Sequence, residues 1–191
     1  MFTKIAFGFS NDYETKVVES IVDWLKPTIC LNSNSLLIDV KTNLSAKPIG
    51  FSEISFNAEK RAWDLLTCKE FPDNVVGIEN GIIFTEEQRS RDDSKDCFET
   101  CAYSISAIHL LYKLQSNINS YSNVKAWSSL IKSQKLPRSS KFIIEDYNKS
   151  DNLIYKLTNN LISNSDLLTD PIKLAFAQAF QRKRALKILV K

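Results

Sequence analysis

Glu53 and Glu79 are the residues of this 191-residue chain whose types and spacing best suit chemistry. Both belong to one stretch, Pro48 to Ile83, that reads PIGFSEISFNAEKRAWDLLTCKEFPDNVVGIENGII. It contains a glycine turn, a helix opening near Glu53 and an apolar strand that runs into Glu79. A carboxylate in a helix's first turn is favoured by the helix dipole alone. A carboxylate ending a buried strand, in contrast, needs a partner or an ion. Oxygen ligands from a helix start and a strand end can converge on one hard cation such as Mg²⁺. That equipment, set beside a phosphate-binding loop, suits cleavage of phosphoanhydrides. Arg61 is the expected ion-pair donor, to Glu79 or to Asp64. The chain has four glycines (Gly8, Gly50, Gly77, Gly81), and none follows Gly81.

Other chemistries find less support. His109 is the single histidine and sits in AIHLL, where a structural role is expected. A lone histidine and the absence of any G-x-S-x-G string argue against a triad hydrolase. The four cysteines (Cys30, Cys68, Cys97, Cys101) are unevenly spaced, unlike a disulfide framework. Cys97-x3-Cys101 lacks the second pair or histidine that would complete a zinc site. A reduced intracellular compartment, the cytoplasm, is therefore expected. The formal net charge of +3 is too small to imply nucleic acid by itself. The basic end from Gln181 onward reads as a solvated helix terminus. No apolar run reaches the ~20 residues that span a bilayer, so no membrane role is expected.

Elements that would position the carboxylates follow from pattern. Thr3–Phe9 suits a buried strand. Asn11-x-x-Glu14 offers a cap and its box partner for a helix through Val17, Val18, Ile21 and Leu25, which Pro27 stops. Ser35–Val40 is a second strand. Ser52 is the expected cap of a helix from Glu53 to about Thr67, and Asn74–Glu79 a third strand. Thr85–Asp96 reads as an exposed hairpin loop and Phe98–Ile105 as a strand. Trp127, Leu130 and Ile131 suggest a short helix, and Lys141–Ile144 a short strand. Asp166–Leu186 is the clearest late helix, with Pro171 in its first turn. Strand and helix alternate over the first eighty residues, which predicts one α/β domain over residues 1–191, a mixed sheet flanked by helices.

With these residues in place, the chain resembles the inosine/xanthosine triphosphatase family of non-canonical purine nucleoside triphosphatases. Three blocks carry the likeness. The first is the opening strand and the polar turn Phe9–Lys16. The second is Pro48–Ile83, with its P-x-G turn (Pro48, Gly50), Glu53, Ala58, Arg61 and the strand-end I-E-x-G of Ile78, Glu79 and Gly81. The third is Asn152–Phe180, an apolar segment, a turn at Lys156–Asn160 and a closing helix.

The resemblance implies an inosine-triphosphate pyrophosphatase-like fold, a homodimer and Mg²⁺-dependent hydrolysis of inosine or xanthosine triphosphate. Glu53 and Glu79 would hold the ion. Ser10, Asn11, Lys16 and Thr158 would meet the nucleotide and its phosphates. Asn11 fits a helix cap equally well, and Lys16 a solvated helix lysine. The chain also departs from the family's pattern. Ile83 stands where an aspartate is common, Asn160 replaces a glycine and Asn164 an arginine. The general base is then unassigned, with Asp12 and Asp96 the acidic residues left for it. These losses support a second reading, a catalytically degenerate member kept as a binding or structural subunit of a larger assembly.

Overall fold

A computed structural model describes residues 5–8, 13–25, 36–37, 44, 48–67, 72–88, 98–113, 121–128, 131–132 and 164–189. Its elements are β1 (Ile5–Gly8), α1 (Tyr13–Leu25), β2 (Leu36–Leu37), α2 (Phe51–Leu66), β3 (Asn74–Gln88), β4 (Phe98–Lys113), β5 (Tyr121–Trp127), β6 (Ile131–Lys132) and α3 (Asn164–Leu189). The six strands form one sheet in the order β2-β1-β3-β4-β5, with β6 also paired to β4. β1 is parallel to both β2 and β3, whereas β3, β4 and β5 run antiparallel. The fold is thus α/β with a mixed sheet.

Burial explains the layering. All four residues of β1 are buried, as a strand covered on both faces must be. On one face, Ile5, Phe7, Val76, Ile78, Ile108 and Leu110 pack under α1 and α3. α1 contributes the stripe Val17, Val18, Ile21 and Leu25, and α3 contributes Leu168, Ile172, Ala175, Phe176 and Ala179. On the opposite face α2 lays Ile54, Ala58, Ala62 and Leu65 on Ala6, Val75, Ile83, Ile105 and Ala107.

At two points α2 approaches the sheet so closely that only glycine fits beneath it. A β-carbon at Gly77 would run into the Ala58 carbonyl and the Ala62 amide, and one at Gly81 into Ile54 and the Pro48 carbonyl. Small residues on both sides of the contact, Gly77 with Ala58 and Ala62, set this depth.

Several expected boundaries are corrected. The cap of α2 is Gly50, at φ 93°, with no side-chain cap bond, so Ser52 lies inside the helix. β3 does not end at Glu79. It continues through Thr85–Gln88 into what the charges suggested was a loop, because every residue to Gln88 finds a partner on β4. β4 likewise extends past Ile105 to Lys113 and takes His109 with it. Trp127 and Ile131 belong to strands β5 and β6, not to a helix. Pro171 lies inside α3, which starts at Asn164 and not at Asp166. The expected strand Lys141–Ile144 is outside the described residues.

Candidate functional site

The chain leaves β1 at Gly8, whose register partner is Gly77 on β3. Farther along the same edge of β3, Ile49 forms a parallel bridge with Ile82. There Gly50 N–H donates to the Ile82 carbonyl at 2.7 Å and Ile82 N–H to the Pro48 carbonyl at 3.2 Å. Between these two registrations the β3 edge has no ladder partner among the described residues, and Glu79 sits at that gap. α1 packs on one face of the sheet and α2 on the other, and strand order reverses between β1 and β3. Open α/β sheets bind ligands at such switch points, beyond the carboxyl ends of the strands.

Glu79 is 1% exposed. Its Oε2 accepts from Arg61 Nε at 2.9 Å and lies 2.9 Å from Arg61 Nη2, a two-pronged grip from one guanidinium. The Asn57 side chain and the Asn80 backbone N–H donate to the same carboxyl. Burial nevertheless pushes Glu79 up to about 7, with Arg61 opposing the rise. Burial thus favours the neutral carboxyl and the Arg61 guanidinium the charged one.

Glu53 is exposed, and its Oε2 accepts the Ile49 backbone N–H at 2.9 Å. It therefore helps pin the glycine turn that bounds the gap. Glu53, Asn57 and Arg61 recur every four residues and share one flank of α2. Glu53 stands one turn before Asn57, roughly 6 Å along the axis. Asn57 was not singled out from the sequence, although this spacing was its available signal. Of the two expected partners for Arg61, Glu79 is the one that it grips; Asp64 is held by Lys60 at 3.1 Å.

The remaining expected site residues divide as follows. Ser10, Asn11 and Thr158 lie outside the described residues, as do Asp12, Asp96 and Asn160. Lys16 is in the first turn of α1. Ile83, where the resemblance would lead one to expect an aspartate, is 3% exposed and packs with Ile54 and Ala58 under α2. Among the described residues no three His, Cys, Asp or Glu side chains gather into a metal-holding group. Mg²⁺ does not demand one, since it is commonly held by one or two carboxylates together with substrate phosphates and water.

The opposite flank of α2 has a different character. His109 is 1% exposed, and neither ring nitrogen has a hydrogen-bond partner. Glu59 Oε2 is 3.9 Å from its Nδ1 but only 2.8 Å from Lys125 Nζ. Desolvation holds His109 down at about 4, so the imidazole is neutral. Cys101 is a buried free thiol. The basic end of α3 is partly engaged within the molecule, with Arg182 Nη1 donating to the Asn123 carbonyl at 2.8 Å.

No described helix is long and apolar enough to cross a membrane. No family model matches the chain, and no curated protein matches it. Among solved structures, protein VC0702 from Vibrio cholerae is similar at 14% identity and a TM-score of 0.60, over 96% of this chain and 99% of that one. The hypothetical protein CT253 from Chlamydia trachomatis aligns at 12% identity over 95% of each chain, but its TM-score of 0.22 carries no structural argument. At such identity the likeness to VC0702 extends to the fold alone.

Proposed function

We propose that the chain is a divergent relative of the inosine/xanthosine triphosphatases, with an inosine-triphosphate pyrophosphatase-like fold, and that it hydrolyses non-canonical purine nucleoside triphosphates with Mg²⁺. The observation that supports this reading best is Glu79, buried beside the break in the β3 edge where β1 ends. Glu79 and Glu53, on one flank of α2, would hold the ion. When bound, Mg²⁺ supplies Lewis acidity at the phosphates and acidifies a water. Asn57 and Arg61 orient the Glu79 carboxylate and favour its charged form. Ser10, Asn11, Lys16 and Thr158 supply hydrogen bonds and one positive charge for phosphate oxygens and the base.

A second reading, a degenerate member serving as a binding or structural subunit, gains support from the same pair. Arg61 already neutralises Glu79, and Ile83 fills an acidic position with a packed apolar side chain. Release of phosphate or pyrophosphate from ITP, XTP, ATP and GTP in Mg²⁺ separates the two. The enzyme reading expects turnover of ITP or XTP that Glu79→Gln abolishes while the circular dichroism spectrum is kept. No turnover of any of the four by the wild type, or wild-type rates in Glu79→Gln, would count against it.

A further inference from the structure

The Glu79 carboxyl has more suitors than a metal ligand can keep. Arg61 offers it two N–H groups, from Nε at 2.9 Å and from Nη2 at 2.9 Å. The Asn57 side chain and the Asn80 backbone N–H add one each. An ionised carboxylate has about four lone-pair sites, so these four donors leave none for an ion. Glu79 is also buried, with no face to solvent. A cation therefore reaches this carboxylate only when a donor leaves.

How each donor is held decides which one that is. Asn80 pairs with Ser106 across the β3–β4 ladder, and Ser106 Oγ donates to its side chain at 2.5 Å. Asn57 is buried on a short side chain of α2. Arg61 reaches Glu79 on a long unbranched stem, and it is the donor that carries positive charge. Two cations on one buried carboxyl repel, so arrival of a metal and departure of Arg61 are a single event. Arg61 is itself buried, and moving it off the carboxylate that balances its charge is strongly unfavourable unless another anion receives it. A phosphate chain is the anion that the proposed reaction brings to this place. A guanidinium fork meets phosphate oxygens two at a time.

We propose that Arg61 is an exchangeable counter-ion, which alternates between Glu79 and a nucleotide phosphate and yields Glu79 to the metal as it takes the phosphate. The inference rests on the reading of Glu79 as a metal ligand and adds two things to it. Arg61 becomes a second positive charge for the phosphates, beside Lys16. Metal and nucleotide become mutually dependent, since either one alone leaves half of a buried ion pair uncompensated. Such coupling is reciprocal.

The test is binding by the full chain, read without turnover. In EDTA, calorimetry with ITP is expected to give a dissociation constant about tenfold lower for Glu79→Gln than for the wild type, because a neutral amide no longer holds Arg61. Glu53→Gln removes the same charge from the same flank without releasing Arg61, and is expected to stay within about threefold of the wild type. With Mn²⁺ as the probe and no nucleotide, followed by electron paramagnetic resonance, Arg61→Met is expected to bind about tenfold tighter than the wild type. Glu79→Gln keeps the side chain's shape, so the nucleotide arm stands even where Arg61→Met does not fold. ITP binding no tighter in Glu79→Gln, a gain that Glu53→Gln matches, or Mn²⁺ binding no tighter in folded Arg61→Met would each overturn the exchange. ITP hydrolysis by the wild type beside any of these results would keep the enzyme reading and discard the exchange alone. Both gains without hydrolysis would keep the exchange and favour the subunit reading.

Discussion

The two flanks of α2 bury ionisable groups in opposite ways. On the flank toward β1, Arg61 and Glu79 are both within the protein, and each charge has the other, with Asn57 and Asn80 completing the carboxyl's bonds. On the flank toward β5, the charges of Glu59 and Lys125 stay near the surface, and the group left inside is a neutral imidazole with no partner. A buried pair stabilises little over an apolar replacement, but removing one member leaves a charge that nothing compensates. An exposed pair contributes little either way. The flank that costs most to assemble is the one beside the gap in the sheet, which is where a functional site commonly stores such cost.

The comparison breaks down altogether if α2 loses its seat. Gly77→Ala puts a methyl group into the Ala58 carbonyl, so both flanks shift together. The expected loss is about 3 kcal/mol or more, with low soluble yield. Urea unfolding measures it, and a change below 1 kcal/mol would mean that α2 can lift at little cost.

Next in size is the asymmetry itself. Arg61→Met should destabilise by about 3–5 kcal/mol, because Glu79 remains buried and unpaired. Lys125→Met should change stability by about 0–1 kcal/mol, since the Glu59 pair is half-exposed. Equal effects from the two variants in parallel urea titrations would erase the distinction drawn between the flanks.

The smallest expected effects are in pH dependence, and their signs oppose. Glu79 has a folded pKa near 7, above its ordinary 4.5. Its share of stability is present below about 4.5 and lost as pH rises through about 7. His109 has a folded pKa near 4, below its ordinary 6.5. Its share is present above about 6.5 and lost as pH falls through about 4. As the only histidine, His109 gives a single imidazole titration by NMR. A midpoint near 4 is expected, and one near 6.5 would show that Glu59 or water reaches the ring. His109→Leu should flatten the acid side of the stability profile and leave its neutral side intact.

How much the residues disclosed in advance depended on what held each element. β1, α1 and α2 were legible because apolar spacing and burial coincide, as in the Val17, Val18, Ile21 and Leu25 stripe. The Arg61–Glu79 contact was legible as one of two alternatives, since a buried carboxylate demands a partner. The far halves of β3 and β4 were not. Thr85-Glu-Glu-Gln has the composition of a loop and is a strand only because each residue meets a partner from Phe98 to Cys101. Strand preference is largely a matter of neighbours, and a sequence does not display its neighbours. The same holds for β5, whose Trp127 suggested a helix, and for His109, whose neighbours Glu59 and Lys125 come from other elements. Asn57 had only a weak signal, its four-residue spacing from Glu53 and Arg61, because an amide on a helix gains meaning when a carboxyl lies opposite.

The β3–β4 ribbon has a consequence for how the chain assembles. Its fifteen register pairs join segments that are close along the chain, so the ribbon can zip as soon as both strands exist. β1 precedes the other described strands along the chain, yet it is an interior strand of the sheet. Its partner across Ile5–Asn74 is synthesised far later, and on its other side two residues of β2, among the described residues, pair with it. On a ribosome, Ile5–Gly8 would therefore wait as a fully apolar segment until β3 arrives. For β1 and the β3–β4 ribbon, the order of synthesis and the expected order of pairing run in opposite directions. Among the described strands, Ile5–Gly8 is consequently expected to have the longest wait between its synthesis and its pairing, and so the longest exposure to a chaperone.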